Sequence, residues 1–366
     1  PEPTIGANSD TQADDHFNSF LFTGDGGADK SLALNTFTPD WSWLKARSGA
    51  DNHVLIDSSR RNGANYPNLH SNEPDGEAND AFPKIITDGI ITSEGLYNNN
   101  NVTFVVWNWK ANGGTTSTIA VDSVSSGVPS IASSVQANTT AGFSIVTFEG
   151  NKTRGATIGH GLGVKPDMII MKNRDLAVSW VVWFPKFQAN NQLLELNSTG
   201  GVSTNTGDVN AWWNNTAPDE NVITLGDYDG INDDLSMLAY CFAEVEGYSK
   251  FGSYIGNGSA DGTFVYTGFK PAWIMMKASS QGSAGYAWFI QDTTRNPTNT
   301  NSLNHLFANR NLAENDSSIS TAANNVVDVL SNGFKCRQGG NATNGGNVIM
   351  IYMAFAESPF KYANAR

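Results

Sequence analysis

Internal repetition constrains this chain more than any other feature. Phe22-Thr23-Gly24-Asp25-Gly26 leads to Pro39-Asp40-Trp41-Ser42-Trp43-Leu44-Lys45. Phe148-Glu149-Gly150-Asn151 leads to Pro166-Asp167-Met168-Ile169-Ile170-Met171-Lys172. Tyr254-Ile255-Gly256-Asn257-Gly258 leads to Pro271-Ala272-Trp273-Ile274-Met275-Met276-Lys277. Each copy closes on a long apolar run, at 102–110, 235–244 and 348–357. Pro39, Pro166 and Pro271 are spaced about 127 and then 105 residues apart. A solenoid repeat has roughly 20–50 residues, so each copy is expected to be a domain with its own core.

The copies also align internally. A second apolar segment follows the proline run: His53–Asp57, Trp180–Phe184 and Trp288–Asp292. Copies one and three then share Asp57-Ser58-Ser59-Arg60 and Asp292-Thr293-Thr294-Arg295. These runs are short, rich in Val, Ile, Trp, Phe and Thr, and separated by Gly, Asn, Asp and Ser, which is the pattern of strands and turns. No run keeps apolar residues at helical spacing long enough for a core helix. The expected fold is all-β, with three tandem antiparallel β-sandwich repeats of jelly-roll type. The closing strands, apolar at nearly every position, belong in mid-sheet with both faces covered. The three prolines stand where strands begin, a position that tolerates a missing donor.

The expected organisation is an N-terminal arm (1–17), a first repeat (18–110), a Ser/Thr/Gly-rich linker (111–140), a second repeat (141–245), and a third with a C-terminal tail (246–366). In the linker, Ile119, Val121 and Val124 could let part of the segment follow a sheet edge. The start, Pro1-Glu2-Pro3-Thr4, lacks the charged-then-apolar pattern of a signal peptide. It fits loss of an initiator Met or an earlier segment.

Charged residues are only 16% of the chain and the formal net charge is −13. Phosphate binding needs a basic patch, so no nucleic-acid partner is expected. No apolar run approaches the roughly 20 residues that span a bilayer, so no membrane insertion is expected. Cys241 and Cys336 are too few for a disulfide framework and read as buried free thiols, as in a protein folded in a reducing cytosol and released later.

Little in the sequence looks catalytic. There is no Gly-x-Ser-x-Gly elbow, and His160, within Ile158-Gly159-His160-Gly161-Leu162-Gly163, reads as part of a turn, aligned with Leu34 and Thr263 in the other copies. Glu73, Asp75, Glu77 and Asp80 could supply a glycosidase carboxylate pair, but they lie in a polar loop found in one copy only, and no enzymatic activity or catalytic residue is expected. Two binding candidates stand out. Trp212, Trp213 and Asn214, with Asn210 and Asn215 beside them, could stack on a sugar ring and bond its hydroxyls; the alternative is core packing of one Trp and partial exposure of the other, since neighbours on a strand point to opposite faces. Asp227, Asp229 and Asp233, with Asn232 and Asp234, could offer oxygens to a hard cation such as Ca²⁺. The alternative for that loop is a solvated acidic turn with no cofactor.

Several longer phrases resemble a repeated domain of structural and tail fibre proteins of marine bacteriophages. They are 164–174, Trp212-Trp213-Asn214-Asn215-Thr216-Ala217-Pro218, 239–254 and 352–366. The resemblance is dense over copies two and three and thinner over copy one, whose insertion at 72–82 reads as adapted for attachment. It implies a place on the virion surface, tail favoured over head, in a homo-oligomer, with a trimer favoured. It further implies contact with other virion proteins and with a host glycan or outer-membrane receptor. A capsid decoration or head fibre protein is the alternative.

Overall fold

The computed structural model describes residues 13–93, 95, 97–121, 129–280, 286–299, 304–314, 316 and 327–356. After a single 3-10 turn at Ala13–Asp15, every regular element among these residues is a strand. The first copy forms β1 (Phe17–Thr23), β2 (Lys30–Leu32), β3 (Trp41–Ala46), β4 (Val54–Asp57), β5 (Lys84–Ile86), β6 (Gly89–Thr92) and β7 (Thr103–Trp109). Next come β8 (Ser117–Ile119), β9 (Ser133–Asn138), β10 (Phe143–Glu149), β11 (Thr157–Gly159), β12 (Met168–Asn173), β13 (Val181–Trp183), β14 (Gln192–Glu195), β15 (Ser203–Thr204), β16 (Val222–Thr224) and β17 (Ser236–Phe242). The third copy forms β18 (Ser249–Ile255), β19 (Phe264–Tyr266), β20 (Pro271–Ala278), β21 (Phe289–Asp292), β22 (Leu306–Phe307), β23 (Val327–Leu330), β24 (Gly333–Cys336) and β25 (Ile349–Ala356).

Three antiparallel sheets share one strand order. They run β1-β7-β3-β4, β10-β17-β12-β13 within a longer sheet, and β18-β25-β20-β21. Each has the first strand outside, the closing strand next to it, then the proline strand and the second apolar segment. The closing strands sit between two neighbours with both faces covered, which is why they are apolar at almost every position. A small sheet accompanies each large one: β2-β6-β5, β11-β16 and β19-β24-β23.

Alternation along the strands sends the two faces to different places. In the first unit, Leu44, Ala46, Val54, Ile56, Phe104 and Val106 form one cluster with residues of the small sheet. The intervening residues, Trp41, Trp43, Leu55, Val105, Trp107 and Trp109, join a second cluster that also takes Phe143, Ile170 and Tyr240 from the second unit and Trp273, Met275 and Phe355 from the third. The expectation of three separate cores is therefore corrected. Units one and two pack their outer faces in clusters of their own, the outer face of unit three is continuous with the shared cluster, and the three inner faces meet in one aromatic centre. Trp109, Phe242 and Phe355 occupy equivalent positions on the closing strands, and their rings approach there. The Trp109 and Phe355 centroids are 5.6 Å apart, and those of Phe242 and Phe355 6.2 Å. Trp41 stacks between units on Tyr240 at 4.5 Å. Such pairs add about 0.5–1.5 kcal/mol each beyond the area they bury.

Two boundaries also shift. Ala13 and Phe17, expected in the arm, are buried in the shared centre, and Phe17 stacks on Phe355 at 5.4 Å. Residues 1–12 lie outside the described residues, as does the tail from 357. The expected linker contributes β8 and β9 to the edge of the second sheet, with β9 paired to β10 from Ser133↔Phe148 to Asn138↔Phe143. Val135 is apolar and buried there, which a run dominated by Ser and Thr had obscured. Ile119 belongs to β8, while Val124 lies outside the described residues.

Candidate functional site

The Trp212–Asn215 segment is a turn, not a strand. Asn214 and Asn215 take left-handed backbone conformations, with φ of 46° and 49°, which asparagine tolerates better than most residues. Trp213 turns fully inward. It stacks on Trp183 with centroids 4.4 Å apart, and its indole N–H donates to the Gln192 carbonyl at 3.0 Å. Trp213 is therefore a core residue and cannot present a face to a sugar. Trp212 is half-buried against the same cluster.

The acidic loop is occupied by the protein's own cations. Arg154 Nε lies 2.7 Å from Asp227 Oδ2, and its guanidinium also meets Asp208. Lys152 Nζ lies 2.8 Å from Asp233 Oδ1 and 3.5 Å from Asp229. Asn232 is buried and ties the loop down, donating through Nδ2 to the carbonyls of Gly226 and Thr153. The three carboxylates face two basic side chains and do not converge on one point. Among the described residues no group of three His, Cys, Asp or Glu side chains could hold a metal ion.

The remaining candidates have structural partners. His160 Nδ1 accepts from Leu162 N–H at 3.3 Å. Its counterpart by strand pairing is Thr267, whose Oγ1 faces Phe269 N–H at 3.4 Å in the same way. In copy one the same pairing keeps Leu34 at this position, so only the alignment with Thr263 is replaced. Asp80 accepts from Asn68 Nδ2 at 2.9 Å, and Glu73 from Asn72 at 3.1 Å. Cys241 and Cys336 are free and buried, and burial pushes both thiols up to about 12.

Glu77 leads to an arrangement that the sequence reading missed. Arg60 is fully buried and donates through Nε to Asp57 Oδ2 at 2.6 Å and through Nη1 to Glu77 Oε2 at 3.1 Å. Glu77 then receives a two-pronged contact from Arg174 of the second unit, at 2.7 and 3.0 Å. The second unit's Tyr240 hydroxyl donates to Asp57 Oδ2 at 2.7 Å. The same clamp closes the third unit onto the first. Arg295 Nε donates to Asp292 Oδ2 at 2.6 Å, and its Nη1 reaches Glu314 Oε1 at 3.0 Å. Glu314 accepts from Arg47 of the first unit at 2.9 Å, and the first unit's Trp107 indole donates to Asp292 Oδ2 at 2.9 Å. The insertion at 72–82, read as an attachment device, thus anchors the first unit to the second.

The electrostatics match this geometry. Burial disfavours the Arg60 charge, but Asp57, Tyr240 and Glu77 outweigh it and raise the pKa. Burial opposes ionisation of Glu77 and Glu314, yet Arg174 and Arg60 hold the first below the usual carboxylate range, as Arg295 and Arg47 hold the second.

The third junction, between units two and three, is built differently. Phe184 and Phe187 stand where the other units have Asp and Arg, and Met353 stands where they have Tyr240 and Trp107. Acceptor, cation and donor are lost together. Lys277 Nζ instead donates to the Thr199 carbonyl at 2.8 Å. One further contact repeats around the ring. The Trp288 indole N–H reaches the Glu195 carbonyl and the Trp180 indole N–H the His70 carbonyl, each at 2.9 Å. His53, at the matching position, faces the backbone of Phe307 and Arg310. The units therefore close head-to-tail: two onto one, one onto three, three onto two.

Fold and junctions define an all-β protein in which one chain closes three like sheets around a shared centre. The chain belongs to the DUF7483 family, a domain of unknown function, and a single match covers residues 12–359, all three units together. No curated protein and no solved structure matches it.

Proposed function

We propose that this chain is a structural protein of the bacteriophage virion, of the tail fibre or receptor-binding kind, descended from a triplicated β-sandwich unit. The observation that carries this reading is the ring of junctions. The buried ion clusters at Asp57 and Asp292, the first places to look for chemistry, hold sheet against sheet. The described candidate residues act as packing, caps or surface ion pairs. A rigid body with three like outer surfaces suits attachment by several weak contacts acting together. The resemblance to marine phage proteins supplies the setting, and the low charge and acidic balance suit an outer surface.

A head decoration protein is the second reading. The internal threefold arrangement favours it, because one copy could sit on a threefold position of a shell. Electron microscopy of purified virions, with the chain located by antibody, separates the two. Density on the tail, together with adhesion of the purified protein to host cells, is expected. Density at regular head positions without adhesion would replace the fibre reading with the decoration one, and absence from virions would refute both.

A further inference from the structure

The three sheets begin on equivalent strands, β1, β10 and β18, whose outer edges are treated differently. β10 is covered by β9. β1 lies against the third unit, with Ser19 Oγ 2.6 Å from Thr294 Oγ1. Beside β18 runs an open groove of about 330 Å³, between Ser249 and Lys250 on one side and Tyr266 and Gly268 on the other, with Glu244 and Glu246 at its end.

The second unit shows what such a groove holds. Strand pairing aligns Ile158 with Val265, and so Gly159 and Gly161 with Tyr266 and Gly268. β9 packs on those glycines so closely that a Cβ on Gly161 would come within 2.7 Å of Val135, and one on Gly159 within 2.8 Å of Ile119 on β8. Ser133 Oγ donates to the Gly159 carbonyl at 2.9 Å. On the third unit, the nearest atoms to a Cβ on Gly268 belong to the Tyr266 side chain, its hydroxyl at 3.7 Å and its ring at 3.9 Å. Tyr266 is 64% exposed, and Ile255 at the end of β18 is 62% exposed.

Among the described residues, no strand covers the outer edge of β18. Ser249 N–H donates to the Val245 carbonyl, and Phe251 N–H meets Glu244 Oε2 at 3.5 Å, long for a hydrogen bond. The amides of odd-numbered residues therefore point away from β25, and Ser253 shares that side. An edge of this kind is a template for another strand.

We propose that β18 is an acceptor edge to which a strand of a partner protein adds, in the antiparallel register that β9 takes on β10. The incoming strand carries small aliphatic side chains at alternate positions, as β9 carries Val135 and Ala137, and these rest on Gly268 once the exposed Tyr266 ring swings aside. It is neutral or basic, because the chain carries a net charge of −13 and the groove is lined by two carboxylates, Glu244 and Glu246, against one lysine, Lys250, which pairs with Glu244 at 2.5 Å.

The test is a fluorescent peptide with the sequence of residues 131–138 followed by two lysines, titrated into the full chain and read by anisotropy. Binding is expected, with slowed hydrogen exchange at Phe251 and Ser253. Replacing the two lysines by glutamates should weaken it several-fold. Ser253→Pro removes an outward donor without touching the β25 ladder and should weaken binding at least tenfold at an unchanged melting temperature. A peptide N-methylated at alternate amides makes the same test on the unaltered protein and should also lose binding. No binding, or binding indifferent to both changes, overturns the proposal. So does a dimer of the chain that Ser253→Pro dissociates, because the occupant is then a second copy.

Discussion

Asp57→Ala tests whether the junctions, and not the separate units, carry the stability of this fold. Asp57 accepts from Arg60 Nε at 2.6 Å, Tyr240 hydroxyl at 2.7 Å and Arg60 N–H at 2.9 Å, and both charged side chains are fully buried. Its removal leaves the Arg60 guanidinium with Glu77 at 3.1 Å and the Leu55 carbonyl at 3.2 Å. It also leaves the Tyr240 hydroxyl facing a donor, Arg60 Nη2, at 3.5 Å. Breaking a buried pair by removing one partner costs about 3–5 kcal/mol. Tyr240→Phe loses one hydrogen bond to a charged group, about 1.5–3 kcal/mol. The chain contains its own control, because the junction between units two and three does without these groups. The triple variant Asp57→Phe, Arg60→Phe, Tyr240→Met copies Phe184, Phe187 and Met353 into the first junction. It removes donor, acceptor and cation together while Glu77 keeps Arg174. Replacing a buried ionic group by apolar residues of similar volume is often close to neutral, so the triple variant should cost no more than about 2 kcal/mol. Urea unfolding followed by tryptophan fluorescence measures all three variants, since stability falls linearly with denaturant. The reasoning fails if Asp57→Ala costs less than about 1 kcal/mol, or if the triple variant costs as much as the single one.

The other expectations follow from the same contacts. A fragment of residues 13–110 should not fold alone, since Trp41, Trp43, Trp107 and Trp109 would lose the centre they pack into; circular dichroism showing a cooperative melt of the fragment would contradict this. Burial lowers the pKa of His305 to about 4, against about 6.5 in the unfolded chain. Stability is therefore full above pH 6.5 and declines as the pH falls from 6.5 toward 4, by up to roughly 3 kcal/mol for this residue, and His305→Phe should flatten that part of a pH–stability curve. Glu77 and Glu314 act lower, because their depressed pKa values keep their contribution intact above the unfolded glutamate value near 4.3 and forfeit it as the pH drops through the folded values. Glu314→Gln should remove its share of that acid dependence in the same measurement. Trp213→Ala should cost about 3–5 kcal/mol, the range for truncating a buried aromatic residue, and should leave adhesion of the folded protein to host cells unchanged.

The strands and the mid-sheet place of the closing strands could be read from the sequence, and the ring could not, for a definite physical reason. Apolar residues at alternate positions, such as Trp41 and Trp43 or Trp107 and Trp109, state that a sheet face is covered. They do not state what covers it, because a facing sheet of the same repeat and an inner face of another repeat make the same demand on the residue. The clue lay in a count of faces. The proline and closing strands are apolar on both sides, so each large sheet needs two covering layers. Each copy offers one small sheet: Lys30–Leu32 with 84–92, Thr157–Gly159 with Val222–Thr224, or Phe264–Tyr266 with 327–336. The second layer had to come from the other copies. The ionic junctions left a fainter mark. Asp-x-x-Arg occurs in copies one and three, where Glu77 and Glu314 follow in polar loops. Copy two has Phe184 and Phe187 in its place, and the copy that closes onto it has Met353 where its siblings have Tyr and Trp. A lone glutamate in a loop looks like a solvated surface residue until the Arg174 or Arg47 of the next unit is brought beside it, and only folding the ring does that. Trp212 and Trp213 follow the alternative reading, one in the core and one half-buried, for a related reason. Adjacent aromatics on a strand must point to opposite faces, but these two lie in a turn, where Asn214 and Asn215 reverse the chain and lay Trp213 on Trp183. The ion pairs of the acidic loop could not be read locally, because its neutralising cations, Lys152 and Arg154, stand some 75 residues earlier in the chain, on the first turn of the same repeat.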